Sequence, residues 1–277
     1  MASPAILVLA MIFIGPFFYT IYLSFHDWSL SAVTEPAFTG LGNYIQAFKE
    51  PLFYNSLKVT AIFTLCGVLI QTFVGVSLAQ FLNRHFKGKS LTRTVFILPL
   101  ASTPVAMALV WRLMLHPTLG ILNYFVTQLN FSTIPWLSDN VLVLVALLTV
   151  DTWQWFPLVM LIVISAMSTI PDHLYESAVI DGATRGQSFF YITLPLVRPA
   201  IVVAMMLRLT DSLKHFDMIY VMTQGGPGNA SQIVNLYIYD NSFRYFRMGY
   251  ASAVIVILFL IILILNFVLS RVRRGEQ

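Results

Sequence analysis

A single cysteine, Cys66, stands among 277 residues, which excludes an intrachain disulfide and a cysteine metal cluster. It lies inside an apolar run and reads as a small core residue. Charge is scarce as well: 10% of the residues are charged, against about 25% in soluble domains. The five histidines, His26, His85, His116, His173 and His215, are scattered without metal-ligand spacing, so each reads as structural or solvated. The phosphate loop G-x-x-x-x-G-K-[ST] is absent, and the chain cannot be read as an ATPase. No basic run is interleaved with aromatics in a polar segment, so the net charge of +4 does not describe a nucleic-acid surface.

Long apolar runs are what the chain does have: 58% of its residues are hydrophobic. Six stretches are long enough to cross about 30 Å of hydrocarbon as helices. They lie near 4–25, 59–82, 94–115, 141–166, 199–221 and 249–270. The expected fold class is therefore an all-α polytopic membrane protein forming one transmembrane domain. The first stretch lacks a basic leader and reads as a span rather than a cleaved signal peptide.

Charge asymmetry orients these spans. Arg84, Lys87, Lys89, Arg93, Arg185, Arg198, Arg271, Arg273 and Arg274 fall on one side, and Lys49, Lys58, Arg244 and Arg247 on the other. The excess of basic residues puts both termini and the 171–198 loop in the cytoplasm. Trp28, Trp136, Tyr237, Tyr239, Tyr245 and Tyr250 gather at the opposite boundary, as an aromatic belt would. Residues 232–247 read as a short helix lying at that interface.

The 171–198 loop is too ordered for a plain connector. Pro171 suits the first turn of a helix. Asp172 and Glu176 place negative charge toward that helix's positive end. Leu174, Tyr175, Ala178 and Val179 share a face at helical spacing. Gly182 can take the left-handed conformation that ends the helix. Thr184 and Gln187 form a T-x-x-Q capping box for a second short helix, which Pro195 stops or kinks. Such a pair of helices around a glycine hinge would present a docking surface to a soluble partner.

Glu176, Ser177, Ala178, Gly182, Ile192, Leu194 and Pro195 have the spacing E-[AS]-A-x3-G-x9-I-x-L-P. This resembles the cytoplasmic EAA loop of the permease subunits of bacterial binding-protein-dependent ABC importers. Ile170-Pro171, Ile180-Asp181-Gly182-Ala183, Gly40-Leu41-Gly42-Asn43-Tyr44 and Thr223-Gln224-Gly225-Gly226-Pro227 are similar to the sugar-importer branch, the maltose and glycerol-phosphate type. Two positions depart from that pattern: Ser177 replaces an alanine, and Gly186 stands where tryptophan is frequent.

The resemblance implies a type I importer permease fold and a role without catalysis. The loop would be a coupling helix seated in a cleft of a cytosolic ATPase, with contacts at Glu176, Ser177, Ala178, Asp181, Gly182 and Ala183. It further implies a second permease subunit, two ATPase subunits that bind ATP and magnesium, and an extracytoplasmic solute-binding protein. The setting would be the bacterial inner membrane, with no cofactor in this chain.

The stretch 199–221 carries Arg208, Asp211, Lys214 and Asp217 at three-residue steps, neighbours on one continuous helix. Ionisable groups at membrane depth face a cavity or a partner. Asp151, Trp153, Gln154 and Trp155 reach a similar depth on the preceding span. Aromatic faces beside carboxylates suit a sugar, so Trp153, Trp155, Asp211 and Lys214 are the candidate substrate pathway. The alternatives are that these charges pair internally and with the second subunit, or that they relay ions in a secondary carrier. A membrane scaffold is a third reading. Gly249 and Ala253 form a small-x-x-x-small pair suited to close helix packing.

Overall fold

A computed structural model describes the backbone of residues 3–31, 35–84 and 86–275. His85 and the side chains of Arg273 and Arg274 lie outside the described residues. The chain opens with α1 (Ser3–Ser24), which occupies the place of the first expected span. A two-stranded antiparallel hairpin follows, β1 (His26–Asp27) and β2 (Ala37–Phe38), and then the short α2 (Gly42–Ala47). Helix α3 (Pro51–Leu82) begins with proline in its first turn, where a missing N–H costs nothing. Then come α4 (Lys89–Ala101), α5 (Pro104–Met114), α6 (Ile121–Gln128) and α7 (Leu142–Met167). The second half holds α8 (Asp172–Ile180), α9 (Arg185–Ser188), α10 (Leu194–Ser212), α11 (Asp217–Met222), α12 (Val234–Tyr239) and α13 (Met248–Gly275).

Among the described residues four helical stretches are long and apolar enough to cross a membrane: Pro51–Leu82, Leu142–Met167, Arg185–Ser212 and Met248–Leu269. The stretch 94–115, expected as one span, is broken instead. Helices α4 and α5 meet at 100°. Pro104 explains the break. It disfavours helical geometry in the residue before it, and both Ser102 (ψ 148°) and Thr103 (ψ 140°) are extended.

The expected span 199–221 is also interrupted. Helix α10 ends at Ser212, and Phe216 (φ −145°) separates it from α11. No proline or glycine lies there. Asn235 holds the break open: its Nδ2 donates to the carbonyls of Leu213 (2.9 Å) and His215 (3.0 Å), which the helix end leaves unpaired. A second amide thus does from a distance what a local breaker would otherwise do.

The core runs along the packed pair α3 and α7, with α10 against both. One apolar cluster, built on Phe63, Leu147, Val150 and Ile219, lies toward the start of α7. A second, built on Leu82, Met160, Val163 and Val197, lies toward its end. A third joins α2, α3, α12 and α13 through Phe53, Tyr237, Tyr250 and Val254.

The first part of the 232–247 segment packs into the protein, whereas Phe243, Tyr245 and Phe246 are exposed. Val234, Leu236, Tyr237, Asp240, Asn241 and Ser242 are buried. Several of its polar groups find partners inside the protein. Gln232 Nε2 donates to Asp240 Oδ2 (3.1 Å), and the Val234 N–H donates to Thr60 Oγ1 (2.9 Å) on α3. Tyr237 and Tyr250, expected in an aromatic belt, are buried with their hydroxyls 2.7 Å apart.

Gly249 does not serve a helix–helix contact either. A Cβ there would come within van der Waals overlap of the His26 carbonyl oxygen and lie 3.1 Å from the Trp28 nitrogen. The Gly249 N–H donates to Trp28 O at 3.1 Å. The glycine lets the β1 strand lie directly on the start of α13. Gly249→Ala is expected to cost about 1–3 kcal/mol through overpacking, read as a lower melting temperature of the purified protein in detergent.

Candidate functional site

Two constructions stand out, one at the loop that follows α7 and one inside the helix bundle. The loop is built from local chemistry. Pro171 (φ −65°, ψ 136°) is the N-cap of α8, one position earlier than expected, and Asp172 occupies the first turn. Extended geometry at Pro171 sets the turn out of α7, and Asp172 complements the helix dipole.

At the other end of α8, Gly182 takes φ +76°. The Ala183 N–H reaches the Ala178 carbonyl at 2.9 Å and the Gly182 N–H reaches Val179 at 3.1 Å. These are the two bonds of a Schellman cap, which needs a left-handed residue between them. Thr184 then starts α9 with a complete capping box. Gln187 N donates to Thr184 Oγ1 (3.3 Å), and Thr184 N donates to Gln187 Oε1 (2.8 Å).

The expected second short helix is not a separate element. A π turn, Phe189–Thr193, carries α9 into α10, and Arg185–Ser212 runs as one 28-residue helix. Leu194 N–H donates five residues back to Phe189 O, so Pro195 enters at the first turn of α10 and interrupts nothing. The loop is thus one short helix, α8, hinged at Gly182 to the overhanging start of a span. The Tyr175 hydroxyl, 2.9 Å from Thr193 Oγ1, ties α8 back to the base of α10.

The loop residues divide by exposure. Glu176, Ser177, Asp181 and Gly182 are exposed, and Ala183 is half-buried. Ala178 is only 8% exposed and packs inward. Val179 leaves the shared face assigned to it: it is exposed, as are Ile180 (85%) and Tyr191 (80%). Among the described residues nothing covers these apolar side chains, and acidic Asp172, Glu176 and Asp181 flank them. An adding Cβ at Gly186 would meet open space. Gly186→Ala is therefore expected to raise stability by about 0.5–1 kcal/mol, seen as a melting temperature higher by a few degrees.

The second construction centres on Asp151 of α7, which is fully buried. Gln71 Nε2 on α3 donates to its Oδ2 (2.6 Å). On its other side, Oδ1 lies 2.6 Å from His215 Nε2 and 3.7 Å from Arg208 Nη2. Arg208 Nε donates in turn to Gln71 Oε1 (2.9 Å), and its guanidinium lies 4.4 Å from the Trp155 ring centroid. Asp151, Arg208 and Gln71 have no exposed surface. The quartet sets a counter-charge beside a buried cation inside the bundle, as ionisable groups at membrane depth require. It also joins α3, α7, α10 and the break after α10 through one carboxylate.

The charge ladder of the 199–221 stretch therefore does not exist as a ladder. Arg208 and Asp211 are on α10, Lys214 is in the break, and Asp217 begins α11. Of the four candidate pathway residues, the structure brings together Trp155 and Lys214. With Gln154, His215 and Asp217 they line a small cavity of about 90 Å³. Asp211 is exposed and does not line it. Trp153 faces away, because two residues along a helix turn a side chain by about 200°. Its ring meets Trp111 (5.8 Å) beside an apolar groove lined by Ile70, Leu148 and Phe156.

Gln71 and His215 are the members of the cluster that sequence reasoning passed over. Gln71 was visible as a lone amide in an apolar run, and His215 as the neighbour of Lys214.

Comparison with known proteins agrees with this architecture. The family model described as "Binding-protein-dependent transport system inner membrane component" matches residues 71–275. The chain is 33% identical over 280 residues to the trehalose/maltose transport system permease protein MalF of Thermococcus litoralis, covering 100% of this chain and 93% of that protein. It is 31% identical over 275 residues to the sulfoquinovosyl glycerol transport system permease protein SmoG of Agrobacterium fabrum, covering 99% and 89%.

Among solved structures, a chain of the bacterial ABC transporter involved in import of the acidic polysaccharide alginate superposes with a TM-score of 0.85. The two are 22% identical, and the match covers 98% of this chain and 93% of that one, which establishes the shared fold. With helices built for a membrane, a family model matched over three quarters of its length and relatives similar from end to end, the chain belongs to the family of binding-protein-dependent transport system inner membrane components.

Proposed function

We propose that the chain is the permease subunit of an ATP-driven importer for a sugar or sugar-like solute. It forms half of the translocation pathway and catalyses no reaction itself. A second permease subunit completes the pathway, two cytosolic ATPase subunits bind ATP and magnesium, and an extracytoplasmic binding protein delivers the solute. The chain sits in the cytoplasmic membrane with both termini and the 171–198 loop on the cytosolic side, and six spans follow if α1 and the bent pair α4–α5 each count as one.

The observation that carries this reading is the loop: a short helix held out by a Schellman cap at Gly182, with Ile180 and Tyr191 uncovered. A free-standing carrier has no use for such a dock, and the broken charge series at 213–216 gives no continuous relay for ions. The relatives named for trehalose, maltose and sulfoquinovosyl glycerol support a sugar-like cargo. The test is purification of the native assembly from membranes. Co-purification of an ATPase whose hydrolysis rises with solute-loaded binding protein is the expected result. A homogeneous protein lacking an ATPase, yet active in ion-driven uptake, would overturn it.

Within the pathway, Trp155 and Lys214 are the side chains this reading places against solute. Lys214→Met is expected to raise the half-saturating solute concentration of reconstituted uptake about tenfold, equivalent to about 1.4 kcal/mol. Asp211→Asn and Trp153→Ala are expected to change it far less. Equal effects from all three would remove the cavity from the account.

A further inference from the structure

Between α5 and α7, residues 117–138 contain no charged residue. Yet they include some of the most exposed apolar side chains of the protein: Leu119 (86%), Tyr124, Phe125, Leu129 (70%) and Phe131. Helix α6 is apolar on both faces. Leu122 packs inward on the core, whereas Ile121, Tyr124 and Phe125 point out at i, i+3 and i+4. A face turned to water would be polar.

The segment is also rigid. Asn123, 3% exposed, is its keystone. Its Nδ2 donates to the carbonyls of Pro117 and Ile134, both at 3.0 Å. Its Oδ1 accepts from the Ile134 N–H (3.1 Å) and from Trp136 Nε1 (3.2 Å). One side chain thus closes the loop on itself and fixes the outward face, and Trp136 pins it to the core.

We propose that this segment is a membrane-interface anchor, which lays Leu119, Tyr124, Phe125, Leu129 and Phe131 into the headgroup–acyl boundary at the end of the bundle opposite the 171–198 loop. The inference rests on the chain's membership of an inner membrane family and not on its transport role. Three observations choose lipid over a protein partner. The segment joins α5, one half of the bent pair, to α7, which is long and apolar enough to cross a membrane, so its apolar face adjoins a surface that lipid would cover. It has no charge to form the polar rim of a protein interface. The uncovered apolar side chains of the 171–198 loop, by contrast, sit among Asp172, Glu176, Asp181 and Arg185. Tyrosine, phenylalanine and tryptophan beside uncharged polar residues are the composition of a membrane interface, and an apolar face of this kind sinks about 5–10 Å. The anchor would hold the ends of α5 and α7 at a constant depth while other parts of the assembly move.

The test uses the full transporter in phosphatidylethanolamine–phosphatidylglycerol nanodiscs, with Cys66→Ser and a nitroxide on Phe125→Cys or Leu119→Cys. Leu119→Cys replaces the more exposed side chain and remains informative if Phe125→Cys does not fold. Ile180→Cys in the 171–198 loop of the same chain, without ATPase subunits, is the aqueous control. The expected result is a severalfold higher ratio of oxygen to nickel-chelate collision rates at 119 and 125 than at 180. A ratio equal to the control would overturn the anchor. Protection from both reagents would also overturn it, because a protein would then cover the face.

Discussion

Asp151→Ala is expected to lower the stability of the purified protein by about 3–5 kcal/mol, because it strands the buried Arg208 guanidinium without its counter-charge. For a chain of this size that corresponds to a melting temperature lower by about 10 °C. The magnitude follows from burial. Asp151 and Arg208 have no exposed surface, and among the described residues neither terminal nitrogen of Arg208 has a hydrogen-bond acceptor, which leaves the ion pair with Asp151 as their compensation. The same carboxylate accepts from Gln71 and holds His215, so its loss loosens the break between α10 and α11 as well.

A second variant separates charge compensation from mere volume. Asp151→Leu combined with Arg208→Met replaces the pair with apolar side chains of similar size. It should recover most of the loss, since a buried ion pair contributes little net stability over a packed apolar substitute. If Asp151→Ala melts with the wild type, or the double variant is worse than the single, the quartet does not hold the bundle.

How much of this was legible in the sequence depended on distance along the chain. The Schellman glycine at 182 and the Thr184–Gln187 box are encoded within four residues, and both were read correctly. Pro195 misled because a proline stops a helix only where its missing N–H matters. A π turn just before it shifted that residue into the first turn of α10. Pro104 carried the opposite lesson: the bend at 101–104 was written in the sequence, but the hydropathy of 94–115 concealed it.

The break after Ser212 was not legible, because the residue that stabilises it, Asn235, is more than twenty positions from Leu213. The quartet was half visible. Arg208 and Asp151 were evident as charges in apolar runs, but the contact of Gln71 with both is a fact of how α3 packs on α7 and α10. Tyr237 and Tyr250 show the same limit. Aromatics at a span end suit a belt or a core equally, and only the packing of α12 on α13 decides.

The second large effect is functional. Gly182→Leu is expected to leave insertion and solute binding intact while reducing solute-stimulated ATP hydrolysis of the assembled complex to near its basal rate. Two contributions can be told apart. Most side chains pay about 1–2 kcal/mol for the left-handed conformation, which φ of +76° demands here. Gly182→Ala measures that contribution alone. Within this chain an added Cβ meets nothing within 4 Å. Any further loss in Gly182→Leu arises from the side chain beyond Cβ and, with the glycine exposed, is expected to report a surface outside the chain. Gly182→Asn, which tolerates the left-handed conformation, should retain more stimulation than alanine. Normal stimulation in Gly182→Leu would show that neither the turn nor its surroundings transmit anything.

The central claim is that the 171–198 loop docks an ATPase subunit, and contact at Ile180 tests it most directly. Ile180 is 85% exposed at the end of α8, immediately before the cap. A photo-reactive benzoylphenylalanine at 180 in the assembled transporter, irradiated in native membranes, should give one major adduct, with the ATPase subunit. The same group at Leu119 should give no adduct with the ATPase subunit. Adducts from 180 that contain only lipid or the extracytoplasmic binding protein would contradict the account.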